Sequence, residues 1–168
     1  MYSTEQNPIH PTPTDCFTLA ELEIFQSFAG QALSDVNYYL WLNETGADAA
    51  PYRFLYFLEL IFEGSGALLL SSGEDSTAIH VGGAETLVAT AEQLRSLHGK
   101  IGIQRLVATH FALWQPAVGL FLEGINLTRN EEGLYLNDAL QLDFGDQKIV
   151  VQLAQKEGLE LVAQQGIK

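Results

Sequence analysis

Several residue types are scarce in this sequence, and each scarcity excludes a class of protein. The single cysteine, Cys16, excludes an internal disulfide and a cysteine-rich zinc site. No apolar run reaches the roughly 20 residues that a membrane-spanning helix needs, because charged residues or glycine interrupt the longest ones. The segment from Met1 to Thr14 lacks the basic start and apolar middle of a secretory signal. We therefore expect a soluble, cytoplasmic protein.

Basic residues are also few, with eight Lys and Arg against 21 Asp and Glu and a net charge of −13. Residues 1–83 hold eleven acids and one base, Arg53, so ten of the thirteen net negative charges lie in this half. Binding to a phosphate backbone requires the opposite charge, which argues against a nucleic-acid ligand. The negative charge is compatible with a basic protein partner, and it is also compatible with a role in solubility alone.

Two stretches of the chain resemble each other. An apolar-periodic stretch runs from Thr18 to Gly30 and another from Thr86 to Gly99, and an L-x-L-x-F motif occurs at 58–62 and again at 140–144. Such self-similarity predicts an internal duplication. We therefore divide the chain into a flexible tail (1–16), a first repeat unit (17–83) and a second repeat unit (84–168), which form a single compact domain overall.

Hydrophobic periodicity predicts two helices and a series of strands. The first helix starts after Thr18, which forms a T-x-x-E capping box with Glu21, and the second covers about Ala84 to His98. The strands are predicted at 36–43, 52–63, 67–71, 77–81, 104–114, 119–128, 133–144, 147–154 and 159–163. Short connections favour antiparallel pairing. The expected fold class is α+β: duplicated helix-plus-antiparallel β-meander units that share one core, with two main helices.

The predicted strand at 52–63 is apolar on both faces, which is typical of a central strand that is covered on both sides. The preceding strand differs, because Asn37, Tyr39, Trp41 and Asn43 alternate on the face opposite its apolar residues. Aromatic and amide groups on an exposed sheet surface suit contacts with proteins or sugars. We expect these four residues, with the acidic residues Glu44 and Asp48, to form a binding surface. Packing of the first helix over them is the alternative.

Signatures of catalysis and of cofactor binding are missing. The four histidines, at positions 10, 80, 98 and 110, show no ligand spacing, and no phosphate-binding loop or nucleophile elbow occurs. We therefore assign no catalytic residue, no metal site and no cofactor.

Two functions from different classes remain. We favour a non-catalytic, acidic protein of bacterial type that acts by binding another protein, or its own copy, and a regulatory or toxin-neutralising role fits its acidity. The alternative is a small-molecule-binding protein or an enzyme with a pocket between the two repeats, drawing on Trp41, His80, His110 and Trp114. A deep, polar-lined pocket favours the alternative, and a flat exposed aromatic patch favours protein binding.

Overall fold

A computed structural model of the chain describes residues 15–43, 52–64, 66–72, 77–82, 92, 101–154 and 158–164, with side chains for all of these except 41–43, 52–54 and 101–103. The elements within these ranges are α1 (Leu19–Phe28), β1 (Leu33–Asn43), β2 (Tyr52–Phe62), β3 (Gly66–Ser71), β4 (His80–Gly82), β5 (Ile101–Val107), β6 (Gly124–Asn126), β7 (Ala139–Asp143), β8 (Lys148–Ala154) and β9 (Gly158–Gln164). In this part of the chain, no helix has the length and apolar character that crossing a membrane requires.

The nine strands form one sheet that curls into a half-barrel. One arm has the order β5-β1-β2-β3-β4 and is antiparallel throughout. The other arm is the antiparallel meander β6-β7-β8-β9. The arms join at β2, which pairs in parallel with β9 where Leu55 lies opposite Gly158. β2 is thus the central strand, as predicted, and side chains on both of its faces are buried, including Leu58 on one and Phe57 on the other.

Gly158 makes the junction between the arms possible. Its φ is +80°, and a Cβ atom at this position would lie 2.2 Å from the carbonyl oxygen of Leu55 and 2.8 Å from the carbonyl carbon. Only glycine has both the backbone freedom and the space for this approach. The two arms therefore meet at a point where no side chain fits.

The helix begins and ends as the sequence predicts. The Glu21 N–H donates to Thr18 Oγ1 at 3.1 Å, and the Thr18 N–H donates to the Glu21 carboxylate at 2.9 Å, which completes the capping box. After Phe28 the chain turns at Gly30, whose φ is +84°. Phe25 and Phe28 are buried, and α1 packs against β3, β4 and β6. The helix therefore covers the open side of the half-barrel.

One core cluster lies inside the curled sheet. The two L-x-L-x-F motifs both contribute to it, and Phe62 and Phe144 are each only 3% exposed, as their strand phase predicts. The connection between β5 and β6 closes this core with Trp114, which is fully buried. Hydrogen bonds between Leu33 and the segment at Gly119 and Leu120 tie that connection to the start of β1.

The predicted α+β fold class with two main helices is wrong. The protein is mainly β, with 53% strand, and α1 is the one helix of more than a single residue within the described ranges. A flat sheet needs helices to bury one of its faces, whereas a curled sheet covers much of its own concave face. The predicted second helix, about Ala84 to His98, lies outside the described residues except for Glu92, which is helical. The predicted tail, 1–16, also lies outside them except for Asp15 and Cys16.

The predicted internal duplication is also wrong. In the first half β1 pairs with the next strand, β2, whereas in the second half β5 pairs with β1 and not with β6. Phe62 ends the central strand, while Phe144 follows β7 in the other arm. The L-x-L-x-F similarity has a simpler cause, because any strand with one face in a core alternates apolar residues with a period of two.

Candidate functional site

Strand β5 is an open edge of the sheet. Among the described residues it pairs only with β1. The Ala108 N–H donates to the Val36 carbonyl at 2.8 Å, just beyond the opposed pair Asn37 and Val107. That pair is therefore a non-hydrogen-bonded pair of the antiparallel ladder, and the pattern alternates along the strand. It follows that the N–H and C=O groups of Ile103, Arg105 and Val107 point away from β1, towards the open edge.

Exposed apolar side chains concentrate at this edge. The described residues include six exposed large apolar side chains, of which three lie between positions 106 and 111: Leu106 (37% exposed), Val107 (53%) and Phe111 (38%). Leu106 lies opposite Tyr38 on the concave side of the sheet, and Val107 lies opposite Asn37 on the convex side. Phe111 packs edge-on against Tyr38, with ring centroids 5.6 Å apart. The edge is therefore apolar on both faces.

The chain after β5 is fixed in place by buried contacts. Thr109 Oγ1 accepts a hydrogen bond from the Val36 N–H at 3.1 Å, and the Phe111 N–H donates to the Ala108 carbonyl at 2.9 Å. The indole N–H of Trp114 donates to the Tyr38 hydroxyl at 2.7 Å. Burial raises the pKa of Tyr38, and the hydrogen bond from Trp114 acts in the opposite direction. These contacts hold Phe111 at the end of the edge strand.

A buried carboxylate lies two strands inward on the convex face. Glu59, only 9% exposed, accepts hydrogen bonds at Oε1 from the Asn37 amide at 2.8 Å and from the Tyr39 hydroxyl at 3.1 Å. Burial raises the pKa of Tyr39, and the charge of Glu59 and its hydrogen bond raise it further. Asn37 is 2% exposed. Two of the predicted binding residues therefore satisfy a buried charge inside the protein.

Arg105 brings a positive charge to the open edge. It lies opposite Tyr39, its side chain is exposed, and its charge partly offsets the rise in the pKa of Tyr39. Within the described residues no carboxylate forms an ion pair with Arg105, and the pair found there joins Lys148 to Asp143 at 3.5 Å. No described residue of the chain therefore neutralises this guanidinium.

The other predicted binding residues lie at or beyond the limit of the described residues. Trp41 and Asn43 belong to β1, where they lie opposite Ile103 and Ile101 of β5, and only their backbone is described. Glu44 and Asp48 are outside the described residues. The predicted surface of Asn37, Tyr39, Trp41, Asn43, Glu44 and Asp48 therefore stays a prediction.

Three of the four alternative pocket residues are described with their side chains, and they lie in different parts of the fold. His80 is exposed on β4 and His110 is exposed in the turn after β5. These strands are the two ends of a five-strand arm, so about 19 Å of sheet separates them at the usual strand spacing. Trp114 is buried in the core and bonded to Tyr38, and the side chain of Trp41 is not described.

A cleft of about 350 Å³ lies elsewhere, between α1 and β6. Its lining consists of Leu22, Phe25, Gln26, Ile125, Asn126, Leu127 and Tyr135. The lining contains no Asp, Glu, His, Lys, Arg or Cys side chain, so the cleft offers apolar surface, two amide groups and one phenol. In the described part of the chain, no group of three His, Cys, Asp or Glu residues is arranged to hold a metal ion.

Sequence reasoning missed Glu59, Arg105, Leu106, Val107 and Phe111. One signal was available for Glu59, the only acid within the apolar run from Phe54 to Phe62, because a charge inside a strand buried on both faces needs a partner. No local signal shows that β5 is an edge, since strand order depends on contacts distant in sequence.

The chain was compared with protein families, curated proteins and solved structures, and the site geometry is the basis for assigning a function. No protein-family model matches this chain, and neither does a curated protein or a solved structure.

Proposed function

We propose that this protein is a non-catalytic binding protein that holds an extended segment of a partner protein along β5. One observation carries the proposal: the outward N–H and C=O groups of three alternate residues lie beside exposed Leu106, Val107 and Phe111. A peptide that adds to a sheet edge gains affinity from main-chain hydrogen bonds and specificity from alternate side chains. β5 supplies both.

The composition of β5 supports this role. Proteins usually block a strand edge with lysine, proline, a bulge or a covering element. β5 is seven residues long, contains no proline and has one charged residue, Arg105. Its pairing with β1 is regular along its whole length. An edge of this kind is a liability unless a partner occupies it.

The rigid surroundings of the edge favour binding. Trp114, Thr109 and Glu59 each hold a β1 residue next to β5 through a buried or partly buried hydrogen bond. A preformed surface loses little conformational entropy when a partner binds. The net charge of −13 would steer a partner with a basic surface towards the protein and speed association. Repulsion between two such charges disfavours a second copy as the partner.

The small-molecule alternative has weaker support. The α1–β6 cleft has a suitable volume for a ligand. Its lining contains none of Trp41, His80, His110 and Trp114, and no carboxylate, imidazole, amine or thiol. Protein binding through β5 therefore explains more of the observed surface.

The test begins with a photo-activatable amino acid at position 107 in cells of the source organism. Position 162 is the matched control, because Val162 is also an exposed valine on a strand, 43% exposed on β9. The expected result is a partner cross-linked from position 107 and not from 162. The purified partner must then bind the protein in vitro, and the cross-linked partner residues must form one extended segment.

Val107→Pro tests the backbone contribution. Proline removes an N–H that points outward and leaves the hydrogen bonds between β1 and β5 intact. We expect roughly tenfold weaker binding, from the lost hydrogen bond and the steric block of the ring. Val107→Glu, which keeps the N–H, should weaken binding by placing a charge in the interface, while Val162→Glu should not. Full affinity in both position-107 variants would contradict the proposal.

A further inference from the structure

We infer that the partner segment runs antiparallel to β5 and carries a carboxylate opposite Arg105, preceded by two apolar residues. This inference rests on the proposed function and names the chemistry of the partner. It follows from one guanidinium that forms no ion pair within the described residues and from three exposed apolar side chains. All four lie on or just after a strand whose outward backbone groups pair with no other described strand.

The position opposite Arg105 is set by the ladder. Because the N–H and C=O of Arg105 point outward, an added antiparallel strand places one residue directly opposite, with both of its backbone hydrogen bonds made to Arg105. The side chains of such a pair lie on the same face of the sheet. The partner residue therefore projects on the convex face, beside the guanidinium.

Charge selects the residue type at this position. Two described acids lie on the convex face of strands β1 and β2. Glu59 of β2 already accepts hydrogen bonds from two side chains of β1. Asp35 of β1 accepts one from Thr109. Arg105 thus has no described anionic partner within its own chain. A carboxylate offers a bidentate acceptor that matches the guanidinium, whereas a lysine there would be repelled.

The neighbours of Arg105 set the order of the segment. Antiparallel pairing is slightly more stable per residue than parallel pairing, and an antiparallel partner meets Val107 first, then Leu106, then Arg105. The residue opposite Val107 lies on the convex face beside an apolar side chain, and the next residue lies on the concave face beside Leu106 and Phe111. Both positions favour apolar residues. The segment therefore reads apolar, apolar, acidic.

The net charge of the protein does not oppose this local preference. Repulsion between exposed charges weakens over a distance of about 8 Å at physiological ionic strength, so its effect on one carboxylate is smaller than that of a guanidinium in contact with it. A carboxylate in contact with Arg105 lies within that distance. The protein's negative field acts on the rate of approach, and the contact with Arg105 acts on which segment is retained.

A selection experiment with a peptide library as the probe tests the inference. Random extended peptides are selected on the folded protein, and those that also bind the Val107→Pro variant are removed. We expect Asp or Glu at a fixed position after two apolar residues. A parallel selection on Arg105→Glu should replace that acid with Lys or Arg, and circular dichroism of each variant verifies that it is folded.

A selected peptide then shows how much the contact with Arg105 contributes to affinity. Changing its acidic residue to the amide should weaken binding to the wild type by up to about fivefold, and this loss should vanish with Arg105→Gln and shrink at high salt. Peptides that bind the wild type but not Val107→Pro are called edge-dependent. If such peptides show no preference for an acidic residue, the inference is overturned and the proposed function stands. Absence of edge-dependent peptides would count against the proposed function itself. A dimer seen by analytical ultracentrifugation and lost in Val107→Pro would assign the edge to a second copy and also overturn the inference.

Discussion

The indole N–H of Trp114 donates to the hydroxyl of Tyr38 at 2.7 Å, and this bond links the chain that follows β5 to the strand that β5 pairs with. Trp114 is fully buried in the core, while Tyr38 also contacts Phe111 at the protein surface. The bond therefore connects the centre of the fold to the candidate binding edge.

Trp114→Phe should lower the free energy of unfolding by roughly 1–3 kcal/mol, because it removes the donor to Tyr38 and leaves a gap in the core. Urea denaturation provides the measurement. Tyr38→Phe is the partner variant in a double-mutant cycle, and a significant coupling energy is expected between the two residues. Strictly additive effects would show that the hydrogen bond contributes nothing.

Glu59→Ala should cost about 1–3 kcal/mol of stability, because the buried Asn37 amide and the Tyr39 hydroxyl both lose their acceptor. Glu63→Ala is the control, since Glu63 is exposed at the end of β2, and its effect should stay within about 0.5 kcal/mol. Glu59→Gln keeps an acceptor and should recover part of the loss. Equal stability of the two alanine variants would contradict the role given to Glu59.

Alkaline pH should destabilise the protein through its raised tyrosine pKa values. Burial raises the pKa of Tyr38 and of Tyr39 above the ordinary 10.0, so the folded state favours the protonated phenols. Their contribution to stability is complete below the unfolded-state pKa and is lost as pH rises through the folded-state values. Unfolding free energies measured between about pH 9 and pH 11 should therefore fall less steeply in Tyr39→Phe than in the wild type. An identical slope would exclude Tyr39 as a contributor.

Gly158→Ala should be among the most damaging single-methyl substitutions in the chain. At φ +80° and with the Leu55 carbonyl oxygen 2.2 Å from the added atom, we expect a cost of at least about 3 kcal/mol. Gly119→Ala separates the cost of the positive φ from the cost of the steric clash. Gly119 has φ +89° with nothing near its Cβ position, so its substitution should cost only about 1–2 kcal/mol. Similar losses in the two variants would mean that the junction of the arms yields to the added methyl group.

Local features of the fold were predictable from the sequence. The capping box involves Thr18 and Glu21, which are three positions apart, and these two residue types determine its hydrogen bonds. The period-two alternation that placed Phe62 and Phe144 in the core requires only that one face of a strand be buried. The double-sided apolar pattern likewise identified β2 as the central strand.

Features that depend on distant contacts were not predictable. The strand predicted at 104–114 ends at Val107, because Thr109 accepts a hydrogen bond from Val36 and the chain turns there. Nothing in the sequence signals this end, since apolar residues continue beyond it. The parallel contact between Leu55 and Gly158 joins residues about a hundred positions apart. The length of the connections predicts pairing only between strands that are neighbours in sequence, so it could not reveal this contact. Because this contact joins the two arms of the sheet, the sequence did not indicate one continuous curled sheet and supported duplicated units with two helices instead. The binding edge was missed for the same reason.

Amide hydrogen exchange along β5, followed residue by residue by NMR, tests the central claim most directly. In the free protein the N–H groups of Leu106 and Ala108, which point to β1, should exchange slowly, while those of Arg105 and Val107 should exchange fast. When the partner identified by cross-linking is added, Arg105 and Val107 should become protected and the alternation should disappear. Fast exchange at Arg105 and Val107 in the complex, with protection appearing on another surface, would contradict strand addition at this edge.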